Sequence, residues 1–501
     1  MYRYLEKLAG LGLIDTDMPG LRPYSKAEAA RLVIEAEERL KSLDGPSPAF
    51  AAELLARCRE LIPREICLYR EAEKAPLLDF NPLASARLRY VYLDGIPRSY
   101  VRDVVDPGNQ SAFGFIGGNL RPIGPGIVHT NATEGTPLLE YTEGAIFPKG
   151  NNVELRWAAE GYVKEVAALY LEPSALINPD HDKFYLQKGY VKVGGGGLEL
   201  EAGRDANWFG PGYRGDITLT NNARNFDLLK VSSPEPVDVG WLKKYVGEVK
   251  YAIMFSRFEE SGAGLTLRHP YFAGVKLDVK PKPWMEIGIN FVRQFGGPGF
   301  VGGSSFRESI FGGGDNDHAN SIAGIDLRFR IPWLRNTEVY GEYAGEDSAG
   351  FWPFVESYVG GVYIPRLTDD GKNDFRFEYF WGNSILYADW QFPEGYVQRN
   401  MIPGHSQGGA TQEFFFRYSH WFSVRNNLAL EYIRTDRGRV GRLPGQELEV
   451  KDAGRAFWTL PVYGDVDLGM MYGWEKIDNF NLQPGVSKTN QIFKVDLSYR
   501  Y

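Results

Sequence analysis

The chain of 501 residues carries a formal net charge of −8 with no basic stripe to offset it, which argues against a nucleic-acid partner. It is 43% hydrophobic with a mean hydropathy of −0.32, and no run of about 18 or more apolar residues occurs, which excludes an ordinary transmembrane helix. A membrane is still open to it, because a transmembrane β-strand needs only about ten residues, half of them facing an aqueous lumen.

Residues 1 to about 80 read as a small α-helical bundle. Tyr4, Leu5, Leu8 and Leu11 recur at helical spacing, and Gly12 ends the pattern. Ser25-Lys26-Ala27-Glu28 has the form of a capping box, and the helix it starts carries Ala29, Leu32, Val33, Ala36 and Leu40 on one face. Ser47-Pro48 starts a further helix with Phe50, Leu54, Leu55, Cys58, Leu61 and Ile62 as its apolar side. Cys58 and Cys67 are the two cysteines. They suit either a local disulfide in an oxidising compartment or two small core side chains.

From about Arg87 the period changes to two. Leu88, Tyr90 and Tyr92 oppose Arg89; Val153, Leu155 and Trp157 oppose Glu154 and Arg156; Val249, Tyr251, Ile253 and Phe255 form another apolar face. Ile325, Leu327, Phe329 and Ile331 oppose Asp326, Arg328 and Arg330, and Phe375, Phe377 and Tyr379 oppose Arg376 and Glu378. Many strands with one apolar and one charged face predict a transmembrane antiparallel β-barrel with a polar interior. Aromatics make up 14% of the chain, and all 11 tryptophans lie after residue 150, as interfacial girdles would require.

The connections test this reading. Counted back from the C-terminus, long segments (476–489, 437–453, 388–410, 345–355, 294–320) alternate with short ones (462–465, 422–426, 366–372, 332–335). Bacterial barrels have short periplasmic turns and long outer loops, and a soluble sandwich has no reason for that asymmetry. The chain closes on Q-I-F-K-V-D-L-S-Y-R-Y, a strand ending on an aromatic, as suits a last strand that must pair with the first to leave no edge in lipid. The barrel is expected to occupy 81–501, with parts of 95–150 folded into its lumen. Because a barrel must be exported and the chain opens M-Y-R-Y-L-E-K-L, a signal peptide is inferred to have been removed.

Chemical motifs are few. Gly404-His405-Ser406-Gln407-Gly408 fits the nucleophile-elbow pattern, but no buried strand is predicted before it and no helix after it, so it reads as a glycine-rich outer loop. Gly312-Gly313-Gly314-Asp315-Asn316-Asp317 offers hard oxygen ligands for calcium, or simply a flexible acidic loop. Gly194–Gly197 lacks the lysine and helix of a phosphate cradle, and the six histidines are scattered without zinc spacing. No cofactor or metal is therefore expected. Trp352, Trp390, Tyr396, His405, Arg439 and Arg442 fall in predicted outer loops, where aromatic faces and polar groups suit sugar rings and hydroxyls, and arginines suit an acidic polymer.

Asn207-Trp208-Phe209-Gly210-Pro211-Gly212-Tyr213-Arg214-Gly215, followed by Leu219-Thr220-Asn221-Asn222-Ala223-Arg224, resembles a signature of the Wzi-type capsule assembly proteins. Trp208, Gly210, Pro211, Gly212, Tyr213, Asn221, Asn222 and Arg224 are the residues that carry it. Tyr2-Arg3-Tyr4-Leu5, Leu11-Gly12-Leu13-Ile14, Arg22-Pro23-Tyr24-Ser25, Glu28-Ala29-Ala30-Arg31-Leu32, Glu342-Tyr343-Ala344 and Gly404-His405 are similar too. The resemblance implies an outer-membrane barrel of roughly 18 strands (about 16–20) with a periplasmic helical bundle. It also implies a lectin-like, non-enzymatic role in holding capsular or other exported polysaccharide at the cell surface. The expected partners are that polysaccharide, outer-membrane lipid, and a periplasmic or export component meeting the helices. The competing expectation is a pore, either a porin or a barrel scaffold for another component, motivated by inward charges such as Asp326, Arg328 and Arg330.

Overall fold

The computed structural model describes the chain except residues 43–48, 72, 74–75, 106–126, 181, 260–268, 299–318, 350–351, 390 and 501. At 103–105, 127–128, 347–349 and 352–354 it describes the backbone only. Eighteen described strands close into one antiparallel barrel. They are β1 (Leu78–Asp94), β2 (Gly150–Val163), β3 (Ala167–Ile177), β4 (Lys183–Gly195), β5 (Leu198–Arg204) and β6 (Asp227–Ser232). Next come β7 (Glu248–Arg257), β8 (Tyr271–Lys282), β9 (Met285–Phe295), β10 (Ala319–Ile331), β11 (Thr337–Ala349) and β12 (Trp352–Ile364). The last six are β13 (Asn373–Gly382), β14 (Thr411–Trp421), β15 (Asn427–Arg437), β16 (Glu449–Tyr463), β17 (Val466–Asp478) and β18 (Ser487–Arg500). Neighbours in sequence pair throughout. Closure comes from β1, where Leu88 stands opposite Leu155 of β2 and Leu497 of β18.

The period-two pattern sets which side chains turn inward. Leu327, Ile289, Ile253, Leu497 and Phe493 are exposed on the outer wall, whereas Asp326, Arg328, Asn290, Lys250 and Glu154 are buried inside. On the outer wall, Trp284, Trp333, Phe422 and Tyr463 ring the short-turn end, while Tyr92, Phe493, Tyr472 and Trp474 cluster toward the other end. Two aromatic bands with an apolar belt between them are what a membrane-spanning barrel requires. Short turns such as 196–197, 283–284 and 464–465 share one end, which also carries the longer connection 233–247, and most long connections share the other. The long connection expected at 345–355 is instead mostly strand, with β11 running to Ala349 and β12 starting at Trp352. Gly196 and Gly197 sit at φ +61° and +84° in the tight turn between β4 and β5, which accounts for that glycine run as turn chemistry.

The first strand starts at Leu78, nine residues before the sequence pattern announces it. A bulge between Asn81 and Ser85, at Pro82, resets the alternation and hides the strand's beginning. The helical segment also holds one helix more than its periodicity shows: α1 (Tyr2–Gly10), α2 (Lys26–Ser42), α3 (Ala49–Leu61) and α4 (Pro63–Glu71). Pro63 breaks what reads as one helix and occupies the first position of the next. Gly12, at φ +82°, closes α1.

The helices pack against the short-turn end. Their core (Leu5, Leu8, Leu32, Val33, Phe50, Leu54, Cys58) extends onto Trp421, which ends β14, and Val424 of the β14–β15 connection. Lys7 reaches into the barrel to Asp374, 2.9 Å away, and donates to the Pro365 carbonyl at 2.6 Å. Only half of the capping box forms. The Ser25 hydroxyl accepts the Glu28 amide hydrogen at 2.9 Å, but the Glu28 carboxylate turns away to Lys250 of β7 at 2.6 Å. A buried ion pair to the wall has taken the place of the return bond. Cys58 and Cys67 are both free thiols, with Cys58 buried in the helical core.

Candidate functional site

The lumen is filled by chain that enters from both ends. Leu21-Arg22 pairs with Trp208-Phe209 as a two-residue ladder inside the barrel. Arg22 lies 4.4 Å over the Trp208 ring and donates to the carbonyls of Gly210 and Gly212 at 3.0 and 2.6 Å. Gly210 sits at φ +130°, and a Cβ there would meet the Asp216 carboxylate carbon at 2.5 Å, so glycine is required. Asp216 is held by Trp208 Nε1 and by the Gly212 amide. The Glu378 carboxylate, on β13, accepts the amides of Tyr213 and Arg214 at 2.9 Å each and the Tyr340 hydroxyl at 2.7 Å. Glu342, on β11, accepts the Ile217 amide at 2.6 Å and the Thr218 hydroxyl. Thr220 donates to the Gly404 carbonyl at 2.6 Å, and Asn222 to that of Ile402 at 2.9 Å. Segments 20–24, 207–224 and 402–405 are thus one interlocked plug, anchored to the wall through Glu342 and Glu378, although they lie far apart in sequence.

Most inward charges on the wall are consumed by this plug and by one another; the buried Glu356 of β12, with neither carboxylate oxygen hydrogen-bonded among the described residues, is an exception. Arg214 pairs with Glu140 at 2.8 Å and Glu413 at 3.0 Å; Arg455 pairs with Glu140 and Glu431 at 2.6 Å each. Arg98 pairs with Glu134 at 2.6 Å, and Lys276 bridges Asp278 and Asp326. Asp17, in the α1–α2 connection, sits 2.8 Å from Arg328 and 2.9 Å from Arg330. Desolvation of these charges is offset by close pairing inside the barrel, and the polar lumen needs no water channel to solvate them. The charges that suggested a pore are cross-links.

At the long-loop end the plug stops short of the rim and leaves a cleft of about 720 Å³. It is lined by Arg204, Arg224, Asn225, Arg257, Glu259 and Arg399, among others. Arg204 is neutralised by Asp227 through bonds of 2.8 and 2.7 Å, and Arg399 by Glu259. Arg224, the last residue of the Asn207–Arg224 motif, makes no ion pair among the described residues; its Nε has no acceptor, and it lies 5.1 Å over the Tyr185 ring. Burial and the neighbouring Arg399 and Arg204 guanidiniums pull its pKa down from the usual arginine value, against a smaller opposing pull from Tyr185 and Glu259. Beside it Asn225 is 6% exposed, and its Nδ2 is also without an acceptor. A second crevice of about 330 Å³ at the same end is lined by Ser99, Arg102, Arg437, Gln446 and Asn481.

The family model described as capsule assembly protein Wzi matches residues 119–492, about three quarters of the chain. The chain belongs to the Wzi capsule assembly family. A curated relative from Klebsiella pneumoniae, described as an uncharacterized 55.8 kDa protein in the cps region, is 28% identical over 171 residues. That match spans 32% of this chain and about a third (33%) of the relative. Among solved structures, an Escherichia coli Wzi, titled an outer-membrane protein involved in group 1 capsule assembly and a carbohydrate-binding β-barrel, superposes with a TM-score of 0.69. The alignment covers 100% of this chain and 98% of that one at 17% identity, which establishes the shared fold.

Within this Wzi-family barrel, the sequence-predicted ligand residues separate. Tyr396 and His405 are buried in the plug and are not on an outer loop surface. The Tyr396 hydroxyl donates to the Thr218 carbonyl at 3.1 Å, and the His405 ring stacks on Phe380 at 3.6 Å. Burial, with Arg214 nearby, holds the His405 imidazole well below its usual pKa and therefore neutral. The glycine-histidine stretch is packing, and its Ser406 stands between no strand and helix, so the elbow pattern is a coincidence of turn residues. Arg439 and Arg442 are on the rim with half-exposed side chains, Arg439 bound to Asp436 at 2.7 Å and Arg442 3.8 Å from Glu447. Trp352 begins β12 with only its backbone described; Trp390 and the Gly312–Asp317 loop lie outside the described residues. Of the signature residues, Trp208, Gly210, Pro211, Gly212, Tyr213, Asn221 and Asn222 build the plug, and Arg224 alone reaches the cleft. Sequence reasoning did not single out Arg204, Asn225, Arg257 or Arg399, because a cleft assembled from separate connections has no local spacing to reveal it.

Proposed function

We propose that this protein holds capsular or other exported polysaccharide at the cell surface, as a binding protein without catalytic activity. The short-turn end and its helices face the periplasm, and the long-loop end faces outward. The observation that carries the reading is the combination of a Wzi-family barrel with a plugged lumen and a polar, arginine-lined cleft at the long-loop mouth. A filled lumen supports surface holding over diffusion, since the wall charges a porin would offer to water are paired with the plug. Arg439 and Arg442, on the rim of the same mouth, extend the surface a polymer would lie on. The helices offer the periplasmic face for any export component. The test is binding of detergent-purified protein to polysaccharide extracted from the source organism. Saturable, glycan-selective binding together with electrical silence in planar bilayers is expected. Absence of binding to every extracted polymer, or steady open conductance, contradicts the reading.

A further inference from the structure

We propose that Arg224 and Asn225 form an anion-reading pair in the mouth cleft and that the unit they take is a carboxylate-bearing sugar of the bound polymer. The inference rests on the polysaccharide-holding reading and names the chemistry of its site.

Three features of the cleft point to an anion. Arg224 Nε and Asn225 Nδ2 are adjacent in sequence, line the same cavity, and both lack an acceptor, although Asn225 is only 6% exposed. Buried donors left unpaired cost stability unless a ligand completes them. Several other arginines of this chain also have an unpaired Nε, so the weight falls on Arg224 having no ion pair among the described residues while it lines a cavity beside the buried, unpaired Asn225 amide. Of the other arginines in the lining, Arg204 is already spent on Asp227 and Arg399 on Glu259, which leaves Arg224, with Arg257, as cations without an ion pair among the described residues. A guanidinium fork with an amide beside it matches the two oxygens of a carboxylate and gives charge-assisted bonds that a neutral hydroxyl cannot equal. The Tyr185 ring under Arg224 fixes the plane of the fork. Volume agrees too: about 720 Å³ accommodates a short stretch of glycan, whereas a single inorganic ion would leave it mostly empty.

The plug explains why this pair is positioned. Gly144, at φ +76°, packs its Cα directly on the Arg224 backbone, and a Cβ added there would stand only 2.6 Å from Arg224 Cα. Glu143 and Gly144 donate their amides to the carbonyls of Asn221 and Asn222 at 2.9 and 3.2 Å. The residues just before the pair are therefore clamped, and the pair is presented from a rigid base.

The experiment uses the full-length protein in detergent and polysaccharide from its source organism, either native or with its carboxyl groups chemically reduced to alcohols. Wild-type protein is expected to bind the native polymer at least tenfold more tightly than the reduced one. Arg224→Gln and Asn225→Asp are each expected to weaken native-polymer binding at least tenfold and to leave the reduced polymer's affinity unchanged. Heat-modifiable electrophoretic mobility identifies folded barrels, and the wild-type comparison of the two polymers needs no variant at all. Equal affinity for native and reduced polymer overturns the anion assignment while the polysaccharide reading stands. If neither polymer binds, both fail. A phosphate source is separated by adding purified lipopolysaccharide: if the variants lose lipopolysaccharide but keep native polymer, the pair serves a lipid phosphate and the sugar assignment is overturned.

Discussion

Replacing Arg214 by methionine probes the pairing that closes the lumen. The side chain is 4% exposed and donates to Glu140 at 2.8 Å and Glu413 at 3.0 Å. Without it Glu140 keeps Arg455 at 2.6 Å, but Glu413 keeps only the Thr435 hydroxyl at 3.2 Å among the described residues. One buried carboxylate is thus left without a cation, a loss of about 3–5 kcal/mol, or roughly two to four powers of ten in the folding equilibrium. Removing the stranded charge as well, in Arg214→Met with Glu413→Gln, is expected to recover about half of that loss or more, because the cost lies in the uncompensated ion. Urea titration of the refolded protein in detergent, read by tryptophan fluorescence and by heat-modifiable mobility, measures both. A single variant as stable as wild type, or a double variant that unfolds as early as the single, refutes the argument that ion pairs hold the plug.

Other outcomes follow from the same geometry. Gly210→Ala, which drives a Cβ into the Asp216 carboxylate from a φ of +130°, should loosen the plug and speed proteolysis from the long-loop end while the barrel strands persist. Leu327→Arg places a charge on the outer wall and should cost about 2–4 kcal/mol in bilayers if it lies near the midplane; a neutral effect would remove Leu327 from the lipid face. Burial pushes the Cys58 thiol up to about 12, so at pH 8 it is protonated and should resist alkylation until the helices unfold. Two equally fast thiols in the native protein would contradict that packing. Binding of the native acidic polymer should fade as pH falls through about 4, where sugar carboxylates lose their charge; a flat profile to about pH 3 would argue against carboxylate recognition.

Much of the barrel was legible in the sequence, because a strand's two faces meet solvents of opposite kind. Phe493, Val495 and Leu497 against Lys494 and Asp496 record lipid on one side and a polar lumen on the other, and long and short connections record the two ends. The beginning of β1 was hidden because a bulge breaks the period, and the fourth helix because Pro63 splits a continuous apolar stripe. Connections are harder. Nothing local in Tyr396 or His405 distinguishes an outer loop from one folded inward; the direction is set by partners such as Thr218 and Phe380, far away in sequence. The Wzi-type signature was readable as a pattern, but its role as a plug emerges only when Glu342 and Glu378 are seen to take its backbone amides. One signal for the cleft was present all along: Arg224, the arginine that closes the motif, directly followed by the amide Asn225.

The central claim, that this barrel holds exported polysaccharide at the surface, is tested most directly by measuring cell-bound and released polymer in a deletion strain of the source organism. Normal total polymer with a larger share in the medium is predicted, and return to the cell surface when the intact gene is restored. Unchanged surface retention in the deletion strain would contradict it.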